Sequence, residues 1–304
     1  MRNLKRSTIV AVALAGIVAG AASPASAIVG GRDATQSYDG MTAAQIVFPG
    51  LGTALCGGSL IHPEFVLIAA HCVSDQLAAP TPVAVPGTNV TVRVGSLDRS
   101  TGGQIVTGKR VFLPPNWAWG TNWPTKPVSD YALVELARPV KAPLMRLDIR
   151  PMPEGHPVRL IGWGLTVYPP PAGTTAPTML HERDTSRLPS VACAGGFIGA
   201  GDVCLGDGAC FGDSGGPALR QVASSGAEPR AAWASAGIAS RETSADNPCG
   251  APSVYTDTSY LPFRLWVWTT IHGRQYLPCS CPPVTAMDTA SSARTNALKP
   301  KIIR

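Results

Sequence analysis

Glycine and proline punctuate this chain so often that few long regular elements fit between them. The sequence holds 32 glycines and 29 prolines in 304 residues, and short apolar or alternating runs recur between turn-forming clusters. These runs are Gln45–Phe48, Phe65–Ala70, Val90–Val94, Gln104–Val106, Ala132–Leu136, Val158–Ile161 and Ala236–Ala239. Runs this short, bounded by Gly, Pro, Asn and Asp, read as strands joined by turns. Helical spacing is confined to about Tyr260–Ile271, where Leu261, Leu265, Trp268 and Ile271 recur near the period of a helix. The pattern predicts an all-β fold with a C-terminal helix over 260–272. The strands fall into two groups on either side of Arg138–Arg150, and two barrels, roughly 28–140 and 145–260, fit the length. No internal sequence repeat accompanies this division.

The two ends read differently from the body. Arg2, Lys5 and Arg6, the apolar run Ile9–Ala22 and the small-x-small pattern Ala25-Ser26-Ala27 predict an export signal over 1–27. That run is too short for a stable membrane span, and no other segment is long and apolar enough, so a secreted, extracellular protein is expected. The Ala-rich leader has a bacterial look, which discounts the glycosylation sequon at Asn89-Val90-Thr91. Without the leader, 277 residues remain and the formal charge of +6 falls to +3. Arg294, Lys299, Lys301 and Arg304 against Asp288 place that charge in the last thirty residues, so the body is near neutral. No basic stripe with interleaved aromatics is present, which argues against a nucleic-acid partner. The polar, Pro/Ser/Thr/Ala-rich segment 273–304 predicts a disordered tail. A monomer is expected.

Eight cysteines occur: Cys56, Cys72, Cys193, Cys204, Cys210, Cys249, Cys279 and Cys281. An even count in an exported chain favours disulfides, and the absence of zinc spacing argues against a metal. No cofactor is called for.

The chemistry centres on Gly212-Asp213-Ser214-Gly215-Gly216-Pro217. A serine among glycines on a tight turn can act as a nucleophile, with the Gly212 and Ser214 amides aimed at one developing oxyanion. The same stretch satisfies the Gly-x-Ser-x-Gly elbow of another hydrolase fold. A serine needs a base, and the body offers His62, His71, His156, His181 and His272. His71 stands out because it ends the apolar run Val66–Ala70 and precedes Cys72. Asp130 opens the run Tyr131–Leu136, where a carboxylate could orient the base.

Taken together, Ile28-Val29-Gly30-Gly31, Cys56-Gly57-Gly58-Ser59-Leu60-Ile61, Ala69-Ala70-His71-Cys72, Asp130-Tyr131-Ala132-Leu133, Gly162-Trp163-Gly164, Gly212–Pro217 and Pro252-Ser253-Val254-Tyr255 resemble the chymotrypsin/trypsin-like serine proteases over almost all of Ile28–His272. The resemblance implies two six-stranded antiparallel β-barrels with the site between them, over a protease domain 28–272. It makes His71 the base, Asp130 its orienter and Ser214 the nucleophile of a serine endopeptidase acting through an acyl-enzyme. It assigns the oxyanion hole to Gly212 and Ser214 and implies the bridges Cys56–Cys72, Cys193–Cys204 and Cys210–Cys249. Polypeptide substrates and protein protease inhibitors are the partners it implies. The chain order also disposes of the elbow, whose fold places the serine ahead of its acid and histidine.

Three places depart from the family pattern or extend it. A free Ile28 amine would pair with Asp213, yet Ala27 stands where an activation site carries a basic residue, so export itself would activate the enzyme. Gly208 stands where trypsin-like enzymes hold a pocket aspartate, with Asp207 one residue away. The pocket wall reads Ser240-Arg241-Glu242, opposite Ser253, so strict preference for Arg or Lys is not expected. That wall also keeps open the alternative of a catalytically silent, protease-like binding protein. The loop Gly95–Gly103 lacks a set of acidic calcium ligands, Asp98 alone being weak. Trp117, Trp119 and Trp123 read as loop packing.

Overall fold

The computed structural model describes residues 28–75, 82–117, 129–222 and 232–273. The expected leader, Trp119, Trp123, Cys279, Cys281 and nearly all of the expected tail lie outside these residues.

Six strands close the first barrel: β1 (Met41–Phe48), β2 (Gly52–His62), β3 (Phe65–Ile68), β4 (Val90–Val94), β5 (Gln104–Phe112) and β6 (Ala132–Leu136). They pair in the cyclic order β1-β2-β3-β6-β5-β4, with β4 returning to β1. In β4 the three valines point inward while Thr91 and Arg93 face outward, the period of two that a barrel wall requires. β3 is buried on both faces and therefore reads as an unbroken apolar run.

The second barrel comprises β7 (Pro157–Gly162), β8 (His181–Leu188), β9 (Asp202–Leu205), β10 (Pro217–Val222), β11 (Ala232–Glu242) and β12 (Ser253–Asp257). Its pairings run β7-β8-β9-β12-β11-β10 and close through β10 on β7. Strand for strand this is the cyclic order of the first barrel, so the duplication absent from the sequence is present in the topology. Arg32–Asp33 adds to β8 at its outer edge, and Arg146–Leu147 runs parallel to β11.

Several strands were illegible beforehand for a physical reason. β2 carries Gly57-Gly58 in its middle, which reads as a turn, and β8 is polar along nearly its whole length. The helix α1 (Leu261–His272) lies where expected, but most of the residues that marked its period do not face the core. Leu261, Leu265 and Trp268 are exposed; Phe263 and Val267 are buried in the core of the first barrel. A helix apolar on two sides offers more than one stripe at the same spacing.

Three disulfides join Cys56 to Cys72, Cys193 to Cys204 and Cys210 to Cys249. In the loop Gly95–Gly103 the Arg93 guanidinium donates to the carbonyls of Arg99 and Ser100 at 2.9 and 3.0 Å and also to that of Gly102. A side-chain cation thus gathers the loop from within. Trp117 is buried and its indole N–H donates to Ser74 Oγ at 3.0 Å.

α1 bears on the site through one aromatic contact. The ring of Phe263 meets Tyr131 edge-on at 5.0 Å, immediately after Asp130. Phe263→Ala should lower stability by about 3–5 kcal/mol, the usual cost of emptying a buried aromatic site. Urea unfolding of the purified protein checks this, as a fall in midpoint at unchanged slope.

Candidate active site

His71 sits in the short turn Ala70–Cys72 that leaves β3, and the disulfide to Cys56 on β2 pins that turn from the other side. Asp130 lies two residues before the start of β6, which pairs with β3. Neighbouring strands therefore bring together residues 59 positions apart. The His71 amide donates to Asp130 Oδ1 at 2.9 Å, and His71 Nδ1 lies 2.7 Å from Oδ2. The second barrel completes the shell: Ser240 Oγ donates to Oδ2 at 2.7 Å, and Thr256 Oγ1 donates to the Asp130 carbonyl at 3.1 Å.

Burial alone would depress the His71 pKa, but the charge and hydrogen bond of Asp130 outweigh it and hold the imidazole above the ordinary histidine value. Burial pushes Asp130 upward, yet His71 and Ser240 hold its carboxyl below the ordinary range. The carboxylate is thus ionised and its hydrogen bond orients the ring.

Ser214 lies on the loop before β10, reached from the first barrel through a close approach of backbones. The Gly57 amide donates to the Ser214 carbonyl at 2.8 Å, and a Cβ on Gly57 would stand 2.7 Å from the Cα of Gly216. The Gly57-Gly58 pair that hid β2 is therefore what lets the two barrels meet at Ser214. Asp213 N–H donates back to the Cys210 carbonyl at 3.0 Å, closing the turn, and Gly212 takes φ +102°. Among the described residues, neither the Gly212 nor the Ser214 amide donates to a protein acceptor. Two unengaged N–H groups flank the serine, as an oxyanion site requires. Gly212 and Ser214 line one cleft of about 530 Å³ with His71, Ser240, Glu242 and Ser253.

Of the expected pocket residues, Gly208 is set apart from that lining. It takes φ +129°, and a Cβ there would meet Arg183 Cδ at 2.9 Å and Ile28 Cγ2 at 3.1 Å. Asp207 is turned away and paired with Arg183 Nη2 at 2.8 and 2.9 Å. Arg183 also donates to the Val29 carbonyl, so one guanidinium holds both the N-terminal segment and the turn beneath the pocket. No sequence signal marked Arg183. Glu242 stands at the wall, in register with Ser253 across β11 and β12.

The Ile28 side chain is buried in the same core cluster as Ala209, facing Gly208, and the Cys210 amide donates to Asp213 Oδ2 at 2.9 Å. Gly164 N–H donates to Oδ1 at 2.8 Å. Cβ atoms on Gly162 and Gly164 would lie 1.9 and 2.4 Å from Asp213 oxygens, which accounts for both glycines of Gly162-Trp163-Gly164. With Ile28 still bonded to Ala27 these two amides are the acid's donors, and burial pushes the Asp213 pKa up to about 7.

A trypsin family model matches residues 28–267. The chain belongs to the trypsin family. It is 32% identical over 175 residues to a trypsin of Sarcophaga bullata, covering 53% of this chain and 63% of that one, just under two thirds of the fly protein. It is 28% identical over 232 residues to a trypsin-like protease of Streptomyces glaucescens, covering 72% and 77% of the two chains. Among solved structures, a scabies mite inactivated protease paralogue superposes with a TM-score of 0.61 at 21% identity, covering 81% of this chain and 98% of that one. Trypsin membership accounts for the two-barrel fold and the protease-type hydrolase framework. Among the described residues one trio gathers potential metal donors, Cys56, His71 and Cys72, and both of its sulfurs are spent in the disulfide. No described helix is long and apolar enough to cross a membrane.

The Asp213 environment gives this trypsin-family chain a pH signature. An acid with a raised folded-state pKa binds its proton longer in the native than in the unfolded state. The share of stability that Asp213 contributes in the chain still carrying residue 27 should therefore fall as pH rises from about 4, the ordinary carboxylate value, to about 7, over and above the fall that His71 contributes at higher pH. Denaturation of that form carrying Ser214→Ala, compared at pH 5 and 7.5, measures the fall. Asp213→Asn should remove the Asp213 share.

Proposed function

We propose that this chain is a secreted serine endopeptidase acting through Ser214, His71 and Asp130. The observation that carries the reading is the His71–Asp130 pair, held from both barrels, in the same cleft as Ser214 and two unengaged amides. Ser214 Oγ adds to a peptide carbonyl as His71 takes its proton; the Gly212 and Ser214 amides receive the oxyanion. Collapse breaks the C–N bond, with His71 returning the proton to the leaving amine. Water then attacks the acyl-enzyme, again through His71.

Activation follows from cleavage between Ala27 and Ile28. The released ammonium neutralises the buried Asp213 carboxylate, and this supports an oxyanion loop built on the turn 210–213. In the intact linkage Ile28 takes φ +59°, a conformation unfavourable for a β-branched residue, so cleavage also relieves local strain. The substrates are polypeptides, and protein inhibitors that offer a rigid peptide loop fit the same cleft.

A second reading, a silent binding protein, draws support from two observations. One structural neighbour is an inactivated protease paralogue, and the wall here carries Arg241-Glu242. A fluorophosphonate probe separates the readings, since only an activated serine reacts. We expect labelling of the chain beginning at Ile28 and none after Ser214→Ala or His71→Ala, each variant remaining folded. Labelling absent from the unaltered chain would overturn the endopeptidase reading. Asp130→Asn should lower turnover by about 10⁴, the scale set by losing the charge that orients such a base.

Cleavage specificity follows from the absence, among the described residues, of a free carboxylate beneath the pocket. Asp207 is occupied by Arg183 and Gly208 carries no side chain, so a buried cationic side chain would lose its hydration without a counter-charge there. A peptide-library profile should show apolar or small residues before the cleaved bond rather than a trypsin-like dominance of Arg and Lys.

A further inference from the structure

The residue following Ser240 is the least expected in the cleft. Arg241 is a charged residue with a side chain 1% exposed, and Asp202 on β9 meets it at 2.6 Å, itself 5% exposed. Nε donates to the Gly196 carbonyl at 2.7 Å and Nη2 to that of Phe197 at 3.3 Å. Nη1 donates to Ser240 Oγ at 3.1 Å. The strand makes this possible by an irregularity: the β11–β12 register slips between Ala239 and Arg241, leaving Ser240 as the extra residue. Two successive side chains can then lie buried where a regular strand would send one outward.

A guanidinium only donates. Ser240 Oγ therefore accepts from Arg241, and its own O–H is directed to Asp130 Oδ2. The result is a continuous chain, Asp202–Arg241–Ser240–Asp130–His71, with a cation behind the acid of the triad.

We propose that the buried Arg241–Asp202 ion pair positions Ser240 as a donor to Asp130 and sets the charge against which His71 works. The pair is oriented, its cationic end toward the triad and its anionic end away. Among the described residues, the charged groups that bear most on His71 are Asp130 before β6, and Glu242 and Arg241 on β11. The two carboxylates favour the protonated imidazole, whereas Arg241 opposes it. Asp202 on β9 acts through Arg241. The arrangement keeps the base from being overfilled with protons by its own buried orienter. Arg241 is thus a positioning residue that acts on the base through Ser240 and Asp130.

The inference rests on the endopeptidase reading, and the test separates the two. The rate of fluorophosphonate labelling is followed against pH for the chain beginning at Ile28, since the acid limb of that profile reports His71 deprotonation. Asp202→Asn leaves the guanidinium uncompensated and should move the limb to lower pH by about half a unit or more. Arg241→Gln removes the cation and should move it to higher pH by a similar amount. Arg241→Lys keeps the charge and should restore the limb. Opposite shifts are not produced by simple loosening of the wall. A limb that stays in place, or moves the same way in both charge-removing variants, overturns the proposal. If Arg241→Gln does not fold, the direction of the Asp202→Asn shift decides alone. An unaltered chain that is never labelled refutes the endopeptidase reading instead.

Discussion

A carboxylate buried between two barrels is the constraint on which this structure turns. Asp130 is 1% exposed and ionised, so every lone pair it presents must find a donor. The first barrel supplies the His71 amide and ring, and the second supplies Ser240, with Thr256 on the adjoining carbonyl. Neither barrel satisfies the acid alone. The interface is therefore fixed by an electrostatic need as well as by apolar contact, and α1 crosses from the second barrel to brace the Tyr131 side of the same residue.

A second buried acid behaves differently. Asp213 receives two backbone amides and, among the described residues, no side-chain cation, and it rises where Asp130 is held down. The contrast separates a carboxylate supplied with side-chain donors from one supplied by backbone amides alone. It also explains why glycines crowd around Asp213: its side chain occupies the space that Cβ atoms on Gly162 and Gly164 would fill.

Much of this was legible in the sequence, because the family's motifs lie where backbone and chemistry allow few substitutes. His71, Asp130 and Ser214 were readable from their order, and the three disulfides from the resemblance those motifs carry. The strands were readable where apolar residues were continuous, as in β3, or alternated, as in β4. They were not readable where function overrode propensity. Gly57-Gly58 looks like a turn yet forms the middle of β2, because the Ser214 loop needs that space. β8 looks like a loop because His181, Glu182, Arg183 and Asp184 are spent on Asp33, Arg32, Val29, Arg159 and Asp207. The Arg241 substitution was visible, but its partner Asp202 lies 39 residues away and carries no local signature. The core-facing residues of α1, Phe263 and Val267, were not legible because periodicity reports spacing, not which face meets the barrel.

The Arg183 wedge has a consequence for how specificity can change in this lineage. Gly30 and Gly208 both face its side chain, and either would meet it at 2.7 to 2.9 Å if it acquired a Cβ. A single exchange of Gly208 for aspartate would collide with the wedge and also strain a backbone at φ +129°. Arg183 would have to shrink first, and that change unties Val29 and frees Asp207. The route from this pocket to one with an anionic floor is thus epistatic: the enabling step disturbs the N-terminal anchorage before any new selectivity appears. Directed evolution toward basic substrates should find its first accessible gains at the rim of the cleft rather than at its base.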